Sequence, residues 1–406
     1  MTNRRYAALG NFSFVEMAKP TPQRLSIEIS AYAGARVQAF TGGVGDKEGF
    51  RQIYKTMRER FEKFSVPPSH VKRRQLVFFP RMEDIRFENG EFDIAEPAQA
   101  YLQLFKDRTE PRGADIALRH ENFGIVVEEV FDRFYRDADQ PPDDLIHVTC
   151  SGYLAPSPAQ KLVVKKGWFE TRVTHSYHMG CYGAFPAIRM AQGFISSARD
   201  EVGARLRQVD VVHSEVPSLH RHFVDLSPQD ILVMSLFADG FVKYGVYPEE
   251  LLRRRDLPGL RILALDERLL PDSLDGESWV PGPHHFEMSM AITVPVVIKQ
   301  NVASFVDRLF TAAGLDFEAQ KDRLVFAIHP GGPQMIEHIR AELGLRPEQV
   351  ALGAKVFFEK GNMSSATVPL VLKEILDSPD VAAGTKIVAI GFGPGLTIAG
   401  LLLEKI

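Results

Sequence analysis

Apolar patterns of period two alternate with patterns of period three to four along most of this chain, and that alternation restricts it to an α/β architecture. Leu145-Ile-His-Val-Thr-Cys reads as a buried strand ending in the turn Ser151-Gly152. Residues 181–198 read as a helix with Ala187, Ile188, Ala191 and Ile195 on one face, and Val209–His213 as a second strand. From Ile231 to Val246 a helix passes into a strand across Asp239-Gly240. Helices are expected over Val302–Ala313, Gln334–Leu343 and Ser364–Leu376, with strands over Leu324–Ile328, Lys386–Ile390 and Thr397–Leu403. Proline and glycine crowd without periodicity between Leu270 and His285, which therefore reads as a linker with His284-His285 exposed on it.

At 406 residues the chain is long for one ordinary domain and suits two, or a duplicated fold with a shared core. The expected division is an N-terminal half, 1–275, and a C-terminal half, 276–406. Lys and Arg number 48 against 52 Asp and Glu, so nucleic acid is not an expected partner. No apolar stretch approaches membrane-spanning length, and the apolar residues after Met1-Thr-Asn-Arg-Arg-Tyr are soon broken by Glu16 and Lys19. With only two cysteines a disulfide framework is not expected, and the reading is a cytoplasmic enzyme.

Chemistry concentrates in three motifs, each where a turn hands over to an expected helix: Cys181 in Met179-Gly-Cys-Tyr-Gly, His329 in Ala327-Ile-His-Pro-Gly-Gly-Pro, and Asn362 in Gly361-Asn-Met-Ser-Ser-Ala. A thiol, an imidazole and a carboxamide are the parts needed to form a carbon–carbon bond on a thioester. Cys181, as nucleophile, needs its thiolate, and a helix N-terminus with a nearby His329 is expected to lower its pKa. The loop Gly391-Phe-Gly-Pro-Gly, with Gly391, Gly393, Pro394 and Gly395, lets backbone amides approach a ligand closely. His175 and His178 beside Cys181 invite a metal reading, but no fourth ligand is evident and no metal is expected. Cys150, in the Val148-Thr-Cys strand, is expected in the core.

Together the motifs resemble a type III polyketide synthase, a chalcone synthase-like member of the thiolase superfamily, from about Ser65 onward. Fatty-acid initiation ketosynthases share the cysteine, histidine and asparagine, but Pro330 and Pro394 sit at positions that look like the type III group, as do Val294-Pro295 and Ile298-Lys-Gln-Asn. The resemblance implies a thiolase-like duplicated α-β-α-β-α fold, a homodimer, and an acyltransferase that condenses a Cys181-bound acyl group with a malonyl-type extender, as in secondary metabolite biosynthesis. It implies no cofactor, with acyl-CoA or acyl-carrier-protein thioesters as substrates. Phe237-Ala-Asp-Gly departs from the family's Phe-Gly-Asp-Gly, and the residue guarding the entrance falls near His220 and Arg221, which implies a polar gate. The basic group Arg58, Arg60, Lys63, Lys72, Arg73 and Arg74 lies where similar enzymes grip the phosphates of coenzyme A, and the same patch suits an acidic carrier protein. Two other readings stand beside this one: a stand-alone ketosynthase joining two acyl chains in a single condensation, and a non-catalytic thiolase-fold binding protein.

Overall fold

A computed structural model describes residues 6–80, 110–138, 140–199, 207–291 and 293–406, together with the backbone of a short hairpin, Ile85–Glu88 and Glu91–Ile94. Among these residues nine strands form one mixed sheet in the spatial order Val325–Ile328, Lys386–Gly393, Thr397–Lys405, Gly259–Leu269, Ala7–Phe14, Gly240–Pro248, Val209–Glu215, Asp144–Thr149, Arg172–Tyr177. Two half-sheets meet in the middle, where Ala8, Leu9 and Gly10 pair antiparallel with Arg261, Leu260 and Gly259.

Side-chain alternation builds the layers. Along Lys386–Gly393, Ile387 and Ala389 enter one core cluster while Val388 and Ile390 enter another, because successive side chains leave opposite faces of a strand. Thr397–Lys405 alternates likewise, with Ala399, Leu401 and Leu403 on one face and Ile398 and Leu402 on the other. In the N-terminal half-sheet Ile146, Val148, Val209 and Val211 join that first cluster, and Leu145 and Val212 face away from it.

The shared cluster is filled by two helices held between the half-sheets, Ala184–Arg199 through Ala187, Ile188, Ala191 and Ile195, and Thr367–Asp377 through Val368, Val371 and Ile375. Val294–Ala312 covers the outer face of one half-sheet and Ile116–Phe134 that of the other. The result is five layers, α-β-α-β-α, the thiolase-like arrangement. Among the described residues no helix is long and apolar enough to cross a membrane.

Most expected elements form within a few residues of their expected bounds. The helix expected from residue 181 begins at Ala184, preceded by a single 3₁₀ turn over Gly180–Tyr182. Ser364–Ala366 is a similar turn before Thr367–Asp377. The helix expected from Val302 starts earlier, at Val294, with Pro295 tolerated in its first turn.

The segment expected to be a linker is instead largely a hairpin: Glu277–Pro281 pairs antiparallel with Phe286–Met290, from Glu277 opposite Met290 to Pro281 opposite Phe286. Pro281 closes the first strand, and the crowded Gly282 and Pro283 belong to the turn that follows it. His284 and His285 are accordingly half-buried rather than exposed, and the His285 ring stacks on His222 with centroids 4.2 Å apart.

Candidate active site

Cys181 is presented by a turn that only glycine can make. Gly180 has φ +73°, and a Cβ there would lie 2.3 Å from the Cδ of Pro394. Cys150 braces the same turn, its Sγ accepting from the Gly180 amide at 3.0 Å. Cys150 is therefore buried, as expected, but it also supports the nucleophile turn.

His329 follows the strand Val325–Ile328, its amide donating to Ile390 O at 2.8 Å. Asn362 follows the helix Pro347–Lys360 through Gly361, at φ +77°. The Asn362 backbone is clamped to the end of another helix by Asn362 N to Leu236 O at 3.2 Å and Ala238 N to Asn362 O at 2.7 Å. Its Oδ1 accepts from the Ser364 amide at 2.8 Å, so the carboxamide is oriented with Nδ2 away from that turn.

Cys181, His329 and Asn362 line one small cavity of about 20 Å³, together with Phe237, Glu277, Met288 and Phe392. Both ring nitrogens of His329 and the Asn362 Nδ2 are buried with no hydrogen-bond partner in the protein. Unpaired buried polar groups are costly, and three of them in residues that line one cavity mark a place for a polar ligand. Burial holds the His329 imidazole neutral by pushing its pKa down to about 3.

A larger cavity of about 590 Å³ adjoins the small one, within the range of small-molecule sites. Four residues border both: Cys181, Phe237, Glu277 and Met288. Phe237 and Met288 thus stand at the neck, with the thiol and one carboxyl. The hairpin forms much of the outer wall and is docked on the nucleophile side by Trp279, whose Nε1 donates to Cys150 O at 2.6 Å and whose carbonyl bonds His178 Nε2 at 2.6 Å.

The expected lowering of the Cys181 pKa does not occur in this resting arrangement. Burial pushes the thiol well up, the carboxyl of Glu277 adds to the rise, and the nearby polar side chains of Ser364 and Asn362 only partly offset it. The physical reason is that Cys181 lies within the 3₁₀ turn before the helix rather than in its first turn, and is only 7% exposed.

The remaining candidates fall in different places. Gly391 and Gly393 sit behind the site, where the rings of Phe185 and Tyr182 occupy the space a Cβ would need. Gly395 lies in the turn that follows their strand, at φ +76°, and Pro394 reaches the large cavity. His220 and Arg221 line that cavity but are held in its wall rather than poised at the neck. His220 bonds Ser151 O at 2.8 Å and accepts from Phe286 N at 3.1 Å, and Arg221 donates to Met234 O at 3.2 Å and lies over the Phe79 ring. The neck between the two cavities is instead bordered by Phe237 and Met288.

None of the basic group lines either cavity. Arg58 pairs with Glu28 and Glu62, Arg60 bonds Leu226 O, Lys63 lies over Phe64, and Lys72 and Arg73 share Glu359. Arg74 is fully buried and donates to Gln23 at 2.7 Å, Ser26 at 2.6 Å, Met234 O at 2.9 Å and Phe237 O. It is thereby a brace for the Phe237 end of a helix, not a surface contact. The imidazoles once open to a metal reading are engaged by protein groups, His175 by Ser157 at 2.8 Å and His178 by Tyr153 and Trp279 O.

Sequence reasoning missed Glu215 and Glu277. Glu215 ends a buried strand and accepts from Cys150 N at 3.0 Å, Ser151 Oγ at 2.7 Å and Ser365 Oγ, tying the turns that carry Cys150 and Asn362 together. A glutamate closing the fully buried strand Val209–Glu215 had no distinct signal among its Asp210, His213 and Ser214. Glu277 was hidden by the reading of its segment as a linker.

Residues 284–406 match the family described as chalcone and stilbene synthases, C-terminal domain. The chain is similar to type III polyketide synthases. Its fold agrees over the whole length with the type III polyketide synthase domain of Steely1, a type I/III hybrid from Dictyostelium, at a TM-score of 0.75 and 21% identity, covering 99% of each chain. A polyketide synthase, PKS-I, from the brown alga Ectocarpus siliculosus gives 0.76 at 21% over 100% of each. Tetrahydroxynaphthalene synthase from Streptomyces coelicolor gives 0.72 at 21%, covering 98% of this chain and 99% of that one. In sequence the chain is 27% identical over 324 residues to a probable polyketide synthase of Dictyostelium discoideum, a match over 75% of this chain but only 10% of that much longer protein.

Proposed function

We propose that this type III polyketide synthase relative joins acyl units by decarboxylative Claisen condensation, with Cys181 as nucleophile and His329 and Asn362 as paired donors. The observation that carries the reading is the small cavity shared by the three side chains, where the thiol meets three unpartnered buried nitrogens. Cys181 attacks a starter thioester, forming the Sγ–acyl bond and releasing the carrier thiol. A malonyl-type extender then binds with its thioester carbonyl between His329, neutral and able to donate from one ring nitrogen, and the Asn362 Nδ2. Loss of carbon dioxide leaves an enolate whose charge forms where those donors point, and its carbon attacks the acyl-Cys181 carbonyl. The carboxamide and neutral imidazole need no reorganisation as charge develops, because Ser364 and the Ile390 carbonyl already fix their turns.

The substrates proposed are coenzyme A thioesters, the enzyme acting as a cytoplasmic homodimer without a cofactor. Neutral walls at the neck, Phe237 and Met288, suit an apolar acyl chain entering the 590 Å³ cavity. Intact-protein mass spectrometry after incubation with a panel of acyl-CoA and acyl-carrier thioesters tests the reading, with Cys181→Ala as control. A gain of one acyl mass in the wild type only, followed by malonyl-dependent products, is expected. Acyl transfer that persists at full rate in Cys181→Ala overturns it.

A further inference from the structure

The larger cavity holds a second pair of unsatisfied nitrogens, away from Cys181. His284 Nδ1 and His285 Nδ1 are buried with no hydrogen-bond partner among the described residues, and both side chains line that cavity. They stand on the tip of the hairpin. Its turn is closed by Gly282 N donating to His285 O at 2.9 Å, and it is pinned to the helix Ile116–Phe134 by Ile116 N donating to Pro283 O at 2.9 Å. The other end of the hairpin, at Glu277, borders the small cavity with Cys181. The rise along the strand from Glu277 to Pro281 is about 13 Å, which sets the tip well beyond the nucleophile. Trp279 and Phe286 line the stretch between, and the one polar atom of the indole is already given to Cys150 O.

The neighbouring His222 is satisfied: its Nδ1 donates to Val224 O at 3.2 Å and its Nε2 faces Asp230 at 3.6 Å. It serves as a platform for His285, whose ring lies on it with the planes 13° apart, so the orientation of His285 is fixed without use of its Nδ1. An open buried polar atom costs stability, and two of them on one anchored turn, lining one cavity, mark a place for a polar ligand group. Burial pushes His285 down to about 3, so its ring is neutral and offers one donor and one acceptor nitrogen. Asp225, Asp230 and Glu287 outnumber Arg112 and the wall-bound Arg221 along the same cavity, which disfavours an anion there.

We infer that His284 and His285 form a terminal subsite that hydrogen-bonds a hydroxyl at the far end of the acyl chain carried by Cys181, so that the starter is a medium-length hydroxyacyl thioester rather than a plain alkyl one. A hydroxyl both donates and accepts, and so matches an imidazole nitrogen in either tautomer. The apolar stretch of Trp279 and Phe286 takes the methylene chain between the thioester and that hydroxyl. The inference rests on Cys181 as the acyl carrier of the proposed function.

The experiment follows acylation of Cys181 by intact mass with decanoyl-CoA, ω-hydroxydecanoyl-CoA and the mono-CoA thioester of sebacic acid, and binding of the same three to Cys181→Ala by titration calorimetry. The hydroxylated chain should acylate and bind about tenfold better than decanoyl-CoA, the worth of one retained hydrogen bond. His285→Phe, which keeps a ring on His222, and His284→Phe should each shrink or invert that preference in both measurements. His285→Gln, which restores a donor and an acceptor, should keep part of it, and melting curves confirm that each variant is folded. Equal handling of the hydroxylated and plain chains by the wild type overturns the inference, as does a preference for the carboxylate chain. So does a loss in His285→Phe that is the same for all three CoA thioesters and absent with N-acetylcysteamine thioesters, since the histidines then face the carrier arm. If no chain acylates the wild type while Cys181→Ala binds the hydroxylated one with the histidine-dependent preference, the subsite stands and the proposed acyl transfer is what fails.

Discussion

Two fully buried polar clusters lie within the same core, and they treat their hydrogen bonds in opposite ways. Around Glu215 every group is spoken for: its carboxylate takes three donors, and Ser365 is bonded in turn by His213, which reaches Tyr244. Around His329 and Asn362 the ring nitrogens and Nδ2 have no partner. Both sets are excluded from water, so burial alone does not separate structure from chemistry. What separates them is whether the fold itself supplies the complement. A satisfied cluster is a joint, and an unsatisfied one is half of an interaction whose other half is the substrate.

The largest test of that contrast is on activity. His329→Ala and Asn362→Ala should each lower condensation by about 10²–10³ in kcat, as for loss of one oxyanion donor, while leaving the melting temperature nearly unchanged. A large loss of stability in either variant would erase the contrast. Glu215→Ala should do the reverse first, costing about 2–4 kcal/mol of stability because three donors are stranded, measured by denaturant unfolding.

Protonation sharpens the same point. The folded-state pKa of His329 is depressed to about 3, so the native state binds fewer protons than the unfolded chain below its ordinary value. Its contribution to stability is present above about pH 6.5 and is lost as pH falls toward 3. Glu215 has the opposite sign: raised to about 7, it favours the fold below its ordinary range and loses that contribution as pH rises through 7. His329→Gln should therefore flatten the acid limb of the stability profile, by no more than about 3 kcal/mol between neutral pH and pH near 4. Glu215→Gln should flatten the limb on the neutral side.

The smallest effect is expected on the surface. Arg58→Ala and Arg73→Ala remove partly exposed ion pairs and should change stability by less than about 0.5 kcal/mol. A rise in KM for coenzyme A thioesters that is absent for the matching N-acetylcysteamine thioesters would assign them the phosphate contact. No difference between the two donors removes that assignment.

The legibility of the chain followed the range of the forces involved. Alternating apolar residues reported the layers because each strand face is buried against its own cluster, as in Ile387 and Val388. The three reactive residues were legible because their turns need particular backbone chemistry, such as Gly180 against Pro394. The hairpin was not legible, since Pro281 and Gly282 look alike in a linker and in a turn until the partner strand is in place. The fate of Arg74 was equally hidden: nothing in a run of basic residues tells which one will be drawn inside by Gln23, Ser26 and two carbonyls. The pKa of Cys181 was misjudged for a related reason, as one turn of offset from the helix and a carboxyl from a distant segment are three-dimensional facts.

The antiparallel rungs joining Ala8–Gly10 to Gly259–Arg261 carry one unbroken backbone ladder across the two half-sheets. A molecule stitched in this way has no seam along which its halves can swing apart, so the reaction vessel behaves as a mould rather than a clamp. On the proposed reading, growth of a product ends when the mould is full, and the means of changing the product is to recast the wall made by the hairpin, leaving the chemistry of the floor untouched.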